Sequence, residues 1–323
     1  MRSIWKDILA AVMMGMVLPG LMLNFAVMVL RQNAPVQDIQ IIIPAETVEK
    51  KESLPVLVRE SEDLVTQRDL EDYLISVVLA EMPADFEDEA LKAQAVAART
   101  YARKAWVTGG KHGDGSVCIE PGCCQAYIAP EKYLEKGGTE AGLEKIRNAV
   151  YETAGQCLEY DGELIEATYF STSGGSTEDA VAVWGTDYPY LQAVDSPGEE
   201  GARWYTDTVV FTKEQFCNAL GKEPDGEPRT WFGEVHDTEG GGVDTMVIAG
   251  ESYTGTQLRS LLGLRSTAFS VEASEEAITI TTRGYGHRVG MSQYGADAMA
   301  VNGSSYREIL AHYYPGTELV TVA

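Results

Sequence analysis

Apolar positions recur along the chain with several spacings, each predicting a different element. Residues 8–30 form an uncharged, almost wholly apolar run of 23, interrupted by Gly15, Pro19, Gly20 and Asn24. At about 1.5 Å per residue a helix of this length crosses about 30 Å of hydrocarbon, so the run predicts a transmembrane anchor. Arg2 and Lys6 place the short N-terminus, residues 1–7, on the cytoplasmic side, with Arg31 acting against that bias. A cleaved signal peptide and a buried core helix are the alternatives, but the run is long for a signal peptide and no small-x-small site follows it. Residues 31–67 carry a short apolar patch at 39–44 and then a series of charges, Glu46, Glu49, Lys50, Lys51, Glu52, Glu60, Glu62 and Asp63. That composition predicts a solvated tether, with an edge strand at 40–43 as the alternative.

From residue 68 to 323 the pattern is that of a folded ectodomain. Leu70, Tyr73, Leu74, Val77, Val78 and Glu81 fall on one face of a helix that must end before Pro83. A second helix is expected from near Phe86 through Tyr101, rich in alanines that favour helix and allow close packing. Strands at 156–160 and 164–170 flank Asp161-Gly162, a hairpin turn signal. Further on, strands are expected at 209–211, 244–249 and 277–282, and helices at 213–220, 255–262 and 306–314. Residues 204–264 show no catalytic pattern and read as a candidate second lobe. The fold class is therefore α+β, a mixed ectodomain with a helical corner and antiparallel strands on an N-terminal transmembrane helix.

Composition narrows the function. Of 323 residues, 45% are hydrophobic and 23% charged, enough to build a buried core. Lys and Arg number 25 against 49 Asp and Glu, a net charge of −24, which excludes a polyanion such as nucleic acid as the natural partner. Five cysteines are too few for a disulfide scaffold. Cys157 and Cys217 read as small core residues, His236 as a surface loop residue and His312 as structural.

Three stretches carry candidate chemistry. Glu81 closes an apolar helix face at the negative end of the helix dipole, and both effects favour its protonated form, the condition for a general acid. The plain alternative is a cap or an ion pair. His112-x5-Cys118-x5-Cys124 lies in a glycine-rich loop and offers imidazole and thiolates, the ligands Zn²⁺ prefers; a disulfide or free thiols are the alternatives, and Cys123 beside Cys124 leaves the second thiolate open. Ser171, Ser173, Gly174 and Gly175, with residues 284–295, supply hydroxyls, amides and turning glycines suited to sugar contacts, although for the first group composition alone favours a plain turn. Arg99 reads as a surface or ion-pair residue by default.

Together these strings resemble the stage II sporulation protein D (SpoIID) family. The resemblance rests on Glu81-Met82-Pro83 with Glu89-Ala90-Leu91-Lys92-Ala93-Gln94-Ala95-Val96-Ala97-Ala98-Arg99-Thr100-Tyr101. It also rests on Ser171-Thr172-Ser173-Gly174-Gly175-Ser176-Thr177-Glu178 with Val183-Trp184-Gly185, and on residues 284–296. It implies a membrane-anchored lytic transglycosylase that cuts the β-1,4 bond from N-acetylmuramic acid to N-acetylglucosamine, leaving a 1,6-anhydro end. The sugar's own 6-hydroxyl attacks, so one carboxyl group suffices where glycoside hydrolases use two. The family's catalytic glutamate matches Glu81. Arg99, Tyr169, Ser171, Ser173, His287, Gln293 and Tyr294 are the expected substrate contacts, and relatives often carry His where Phe170 stands. Some clostridial members bind zinc through residues matching His112, Cys118 and Cys124, which implies a structural or site-shaping Zn²⁺ here. The implied substrate is peptidoglycan glycan freed of stem peptides by a partner amidase, with a membrane scaffold of the engulfment complex, in the space between mother cell and forespore. The competing readings are a noncatalytic amidase enhancer or wall-binding module, and a zinc hydrolase, for which no H-E-x-x-H is present.

Overall fold

The computed structural model describes residues 54–322. The expected anchor at 8–30 lies outside the described residues, and no helix among those described is long and apolar enough to cross a membrane. The expected tether ends earlier than residue 67, because β1 (Pro55–Ser61) and β2 (Leu64–Asp69) pair as an antiparallel hairpin. Val56 and Val58 alternate inward and are almost fully buried, which outweighs the acidic turn that follows them.

β2 runs straight into α1 (Leu70–Glu81), whose N-cap Asp69 accepts a hydrogen bond from the Asp72 amide. Pro83 follows within two residues of its end, and α2 (Asp88–Thr108) begins after the corner. α2 is the axis of the larger core. Ala90, Ala93, Ala95, Ala97 and Ala98 are wholly buried, and their small side chains bring neighbouring elements onto the helix. Beyond the Gly109 cap, held at φ 89°, the chain makes a loop containing β3 (Val117–Cys118), which pairs in parallel with β1. α3 (Pro130–Glu135) and α4 (Glu140–Glu152) complete the helical half.

β4 (Gln156–Tyr160) and β5 (Glu163–Leu164) form the expected hairpin, with Asp161 and Gly162 both at positive φ, 52° and 79°. The expected strand at 164–170 is interrupted. The chain leaves β4 after Leu164 and re-enters a sheet as β6 (Tyr169–Phe170). α5 (Ala180–Trp184) follows.

A second apolar cluster then forms within residues 206–283. β7 (Thr206–Thr212) leads into α6 (Lys213–Leu220), and β8 (Phe232–Asp237), β9 (Val243–Ile248) and β10 (Glu251–Thr254) make an antiparallel sheet. α7 (Gly255–Leu262) precedes β11 (Phe269–Ala273) and β12 (Ala277–Arg283), which pair in the order β11-β12-β7. Phe216, Trp231, Leu258, Ile278 and Ile280 fill this core, each contributing about 1.5–3 kcal/mol by burial. His236 is exposed on β8 rather than in a loop. The chain returns to the larger core through β13 (Met291–Ser292), α8 (Gln293–Val301), α9 (Tyr306–Tyr313) and β14 (Glu318–Thr321). β13 pairs in parallel with β6, and β14 antiparallel with β4.

Candidate active site

Glu81, the last residue of α1, opens into a cleft of ≈ 850 Å³ lined also by Tyr169, Ser171, Trp184, His287 and Gln293. Its Oε1 accepts a 2.8 Å hydrogen bond from the Ala126 amide, and its Oε2 a 3.2 Å bond from Gln293 Nε2. Among the described residues it makes no ion pair. Burial raises its pKa, and the two neutral donors only partly oppose that shift. Behind it, Gln125 accepts from the Tyr73 hydroxyl at 3.1 Å and donates to the Tyr169 hydroxyl at 2.9 Å, which fixes the loop that presents Ala126.

That loop also gathers His112, Cys118, Cys123 and Cys124, whose ligand atoms all lie within 4.8 Å of one another. Cys123 Sγ is 3.9 Å from Cys124 Sγ and 3.8 Å from His112 Nε2, and Cys124 Sγ is 3.5 Å from the same nitrogen. A tetrahedral zinc with bonds of about 2.3 Å to sulfur and about 2.0–2.1 Å to nitrogen requires edges of about 3.8 and 3.6 Å. The donor set fits such an ion with four protein ligands. The adjacent cysteines both turn inward because the chain makes a tight turn over 121–124, so the alternation of a strand does not apply. Burial pushes the Cys118 thiol up, but hydrogen bonds from the Glu120 main chain, His112 and the other two thiols outweigh it and bring it down to about 7. Cys124, pushed up by burial to about 12, is two residues from the amide that holds Glu81.

His287 reaches the cleft from the glycine-rich segment. Gly286 at φ 122° and Gly290 at φ 82° let that backbone press against Phe170 and the Thr168 carbonyl, where a Cβ would come within 2.8 and 2.2 Å. The His287 ring lies between Phe170 and Trp184, with centroids at 5.6 and 5.3 Å. Its Nδ1 accepts from the Val289 amide, and burial, with the nearby Arg259 charge, pushes its pKa down to about 4. It is therefore a neutral imidazole near neutral pH. Ser171 and Tyr169 also line the cleft.

Three expected contacts lie elsewhere. Arg99 is wholly buried in an ion pair with Glu71 at 2.6 Å, and also donates to the Val150 and Gln156 carbonyls, so it joins α1, α2 and α4 rather than meeting substrate. Ser173 is buried, its hydroxyl bound to Glu199 at 2.7 Å. Tyr294 packs edge-on against Phe86 at 4.9 Å and is not among the cleft residues. In each case a partner far along the chain takes the polar or aromatic group.

Residues 58–160 match the family described as stage II sporulation protein. The chain is 41% identical to stage II sporulation protein D of Bacillus subtilis (strain 168), over 83% of this chain and 78% of that protein. It is 40% identical to the Bacillus amyloliquefaciens protein of the same name over the same shares. It is also 30% identical to the amidase enhancer of Bacillus subtilis (strain 168), over 77% of this chain and 40% of that protein. The chain belongs to the stage II sporulation protein D family. Within this SpoIID-family cleft the structure adds residues that sequence reasoning missed. Gln125 and Ala126 brace the acid, and Cys123, read from the sequence as the alternative to Cys124, stands in the cluster together with it. Their signal was adjacency to Cys124 in a loop already singled out. Trp184 and Tyr285, both exposed aromatics at the cleft, offer faces on which sugar rings stack. Arg288, at φ 66° and buried, donates to Glu178 at 2.9 Å, to the Ser173 and Ser176 carbonyls, and to Gly240. It thereby ties the second core's 238–242 turn to the cleft loop.

Proposed function

We propose that this SpoIID-family protein is a lytic transglycosylase acting on peptidoglycan glycan strands. The observation that carries the reading is Glu81, a half-buried carboxyl of raised pKa with two neutral donors and, among the described residues, no ion pair, in a cleft with aromatic walls. Its protonated form donates to the glycosidic oxygen as the bond to C1 breaks. The resulting carboxylate then takes the proton of the sugar's 6-hydroxyl as that oxygen closes the 1,6-anhydro ring. Glu166, the other acid lining the cleft, is paired with Lys104 at 3.4 Å, so a two-carboxylate hydrolysis has no second free partner there. Gln293 and the Ala126 amide hold the Glu81 carboxylate in place between the two proton transfers, and Trp184, Tyr285 and Ser171 carry the strand.

On this reading His112, Cys118, Cys123 and Cys124 hold a Zn²⁺, which supplies a cross-link within the loop. Four protein ligands leave no open position for a reacting water. The loop's role is to aim the Ala126 amide at Glu81. The anchor at 8–30 keeps the enzyme on the membrane with its ectodomain outside the cytoplasm, facing the space between mother cell and forespore. There an amidase supplies peptide-free strands and a membrane scaffold joins the complex.

The second reading, a noncatalytic amidase enhancer, draws on the relative of that name. Mass spectrometry of peptide-free strands incubated with the purified chain separates the two. Anhydro-N-acetylmuramic acid ends, lost in Glu81→Gln, are expected. No cleavage by the wild type, with acceleration of an added amidase, would establish the enhancer instead.

A further inference from the structure

Arg259, on α7, is the cleft residue contributed by the second core's helices. It is half-buried beside Tyr285 and His287, and its side chain makes no hydrogen bond or ion pair among the described residues. Four other arginines of the two cores are engaged, Arg99 with Glu71, Arg288 with Glu178, Arg265 with Asp207 and Arg68 with Glu60, and Arg103, whose buried Nε has no hydrogen-bond partner, does not line the cleft. The second cation at the cleft, Lys111, donates to the Cys123 carbonyl, and Glu166 is taken by Lys104. A protein with 49 acidic and 25 basic residues thus leaves one guanidinium at its cleft without a carboxylate. Partial desolvation of an unpaired charge costs free energy, and an incoming anion recovers it.

We propose that Arg259 is a specificity residue that binds the free carboxylate of the 3-O-lactyl group on peptide-free N-acetylmuramic acid. The proposal rests on the glycan-cleaving reading of the cleft. The lactyl group is amide-linked and neutral at that position while a stem peptide is attached. Removal of the peptide exposes one carboxylate on every second sugar of an otherwise uncharged strand. A single planar guanidinium matches a single planar carboxylate bidentately, a pairing an ammonium does not reproduce. Arg259 stands on α7, outside the core that carries Glu81, so selection of the strand and cleavage of the bond rest on different elements.

The test uses the full chain in a Glu81→Gln background, so that no strand is cut, with and without Arg259→Ala or Arg259→Lys. Three probes are titrated: the peptide-free oligosaccharide with lactyl acids, the same oligosaccharide with lactyl methyl amides, and the oligosaccharide bearing stem peptides. The acid is expected to bind about tenfold or more tighter than the amide, as a charge-assisted bidentate pair gives. The ratio should fall to near one in Arg259→Ala and be partly kept in Arg259→Lys. A ratio unchanged by Arg259→Ala, or an Arg259-dependent preference for the peptide-bearing strand, would overturn the proposal. The two readings fail separately. A wild-type chain that makes anhydro ends from acid and amide at equal rates removes the role of Arg259 and keeps the enzyme. An Arg259-dependent preference without anhydro ends keeps the recognition and removes the enzyme.

Discussion

Glu71 and Glu81 begin and end the same helix, and their surroundings separate structure from chemistry. Glu71, in the first turn, is buried and receives Arg99 through bonds of 3.0 and 2.6 Å, with the Gly155 amide as a further donor. Glu81, in the last turn, has only neutral N–H partners among the described residues and lines the cleft. A carboxylate that receives a full counter-charge holds elements together. One that is desolvated without a counter-charge is raised toward protonation and can deliver a proton. On the proposed function the same residue type on the same helix serves two ends, and the partners decide which.

The strongest way to break this comparison is to neutralise each glutamate's role in turn. Glu81→Gln keeps the shape and an acceptor for the Ala126 amide but cannot donate and retrieve a proton, so the rate of anhydro-end formation should drop by about 10²–10⁴ with the fold intact by circular dichroism. Retained activity would end the assignment. Arg99→Ala removes the buried guanidinium that Glu71 receives, and should cost about 3–5 kcal/mol of stability in a denaturant titration. Below its melting range the variant should still cut glycan. A variant that is stable but inactive would place Arg99 in the chemistry after all.

A smaller effect is expected at the thiol cluster. Chelation, or Cys118→Ser with Cys124→Ser, should raise amide hydrogen exchange over 109–128 and lower the rate by about tenfold, because the Ala126 amide is then no longer held against Glu81. Unchanged exchange and rate in demonstrably metal-free protein would detach the cluster from the site. The mildest effect is on pH dependence. Because Glu81 is raised above its ordinary value of 4.5, the folded chain binds more protons than the unfolded chain there. The stabilisation is complete below that value and is lost as pH rises through the raised one. Wild type should therefore lose stability relative to Glu81→Gln across that window, and the rate should fall over the same limb. A difference that is flat with pH would show the carboxyl unperturbed.

Much of the scaffold was legible in the chain. The 3.6-residue stripe from Leu70 to Glu81, the alanine-rich run through Ala98, and Asp161-Gly162 announced α1, α2 and the β4–β5 turn, since local sterics and burial of one face fix them. The β1–β2 hairpin was obscured by its acid-rich surroundings, although Val56 and Val58 alternate as a strand should. The segment 164–170 read as one strand because its composition is β-prone throughout. Its break comes from the pairing of Tyr169 and Phe170 with Met291 and Ser292, over 120 positions away. Glu81, Gln293 and His287, which line one cleft, and the His112, Cys118 and Cys124 loop, whose ligand atoms converge, were nameable from residue types and motif order. Arg99, Ser173 and Tyr294 were misplaced because Glu71, Glu199 and Phe86 capture them only in three dimensions.

By itself the sequence determined where helices start and stop, which chemistry is on offer and the family to which the chain belongs, because propensities, caps and motifs act over a few residues. The tertiary structure decided which charges cancel and which are left to act. Coulomb and desolvation energies depend on distances between groups far apart along the chain, and those distances put Arg99 beside Glu71, the Ala126 amide beside Glu81, and Arg259 at the cleft without a carboxylate of its own.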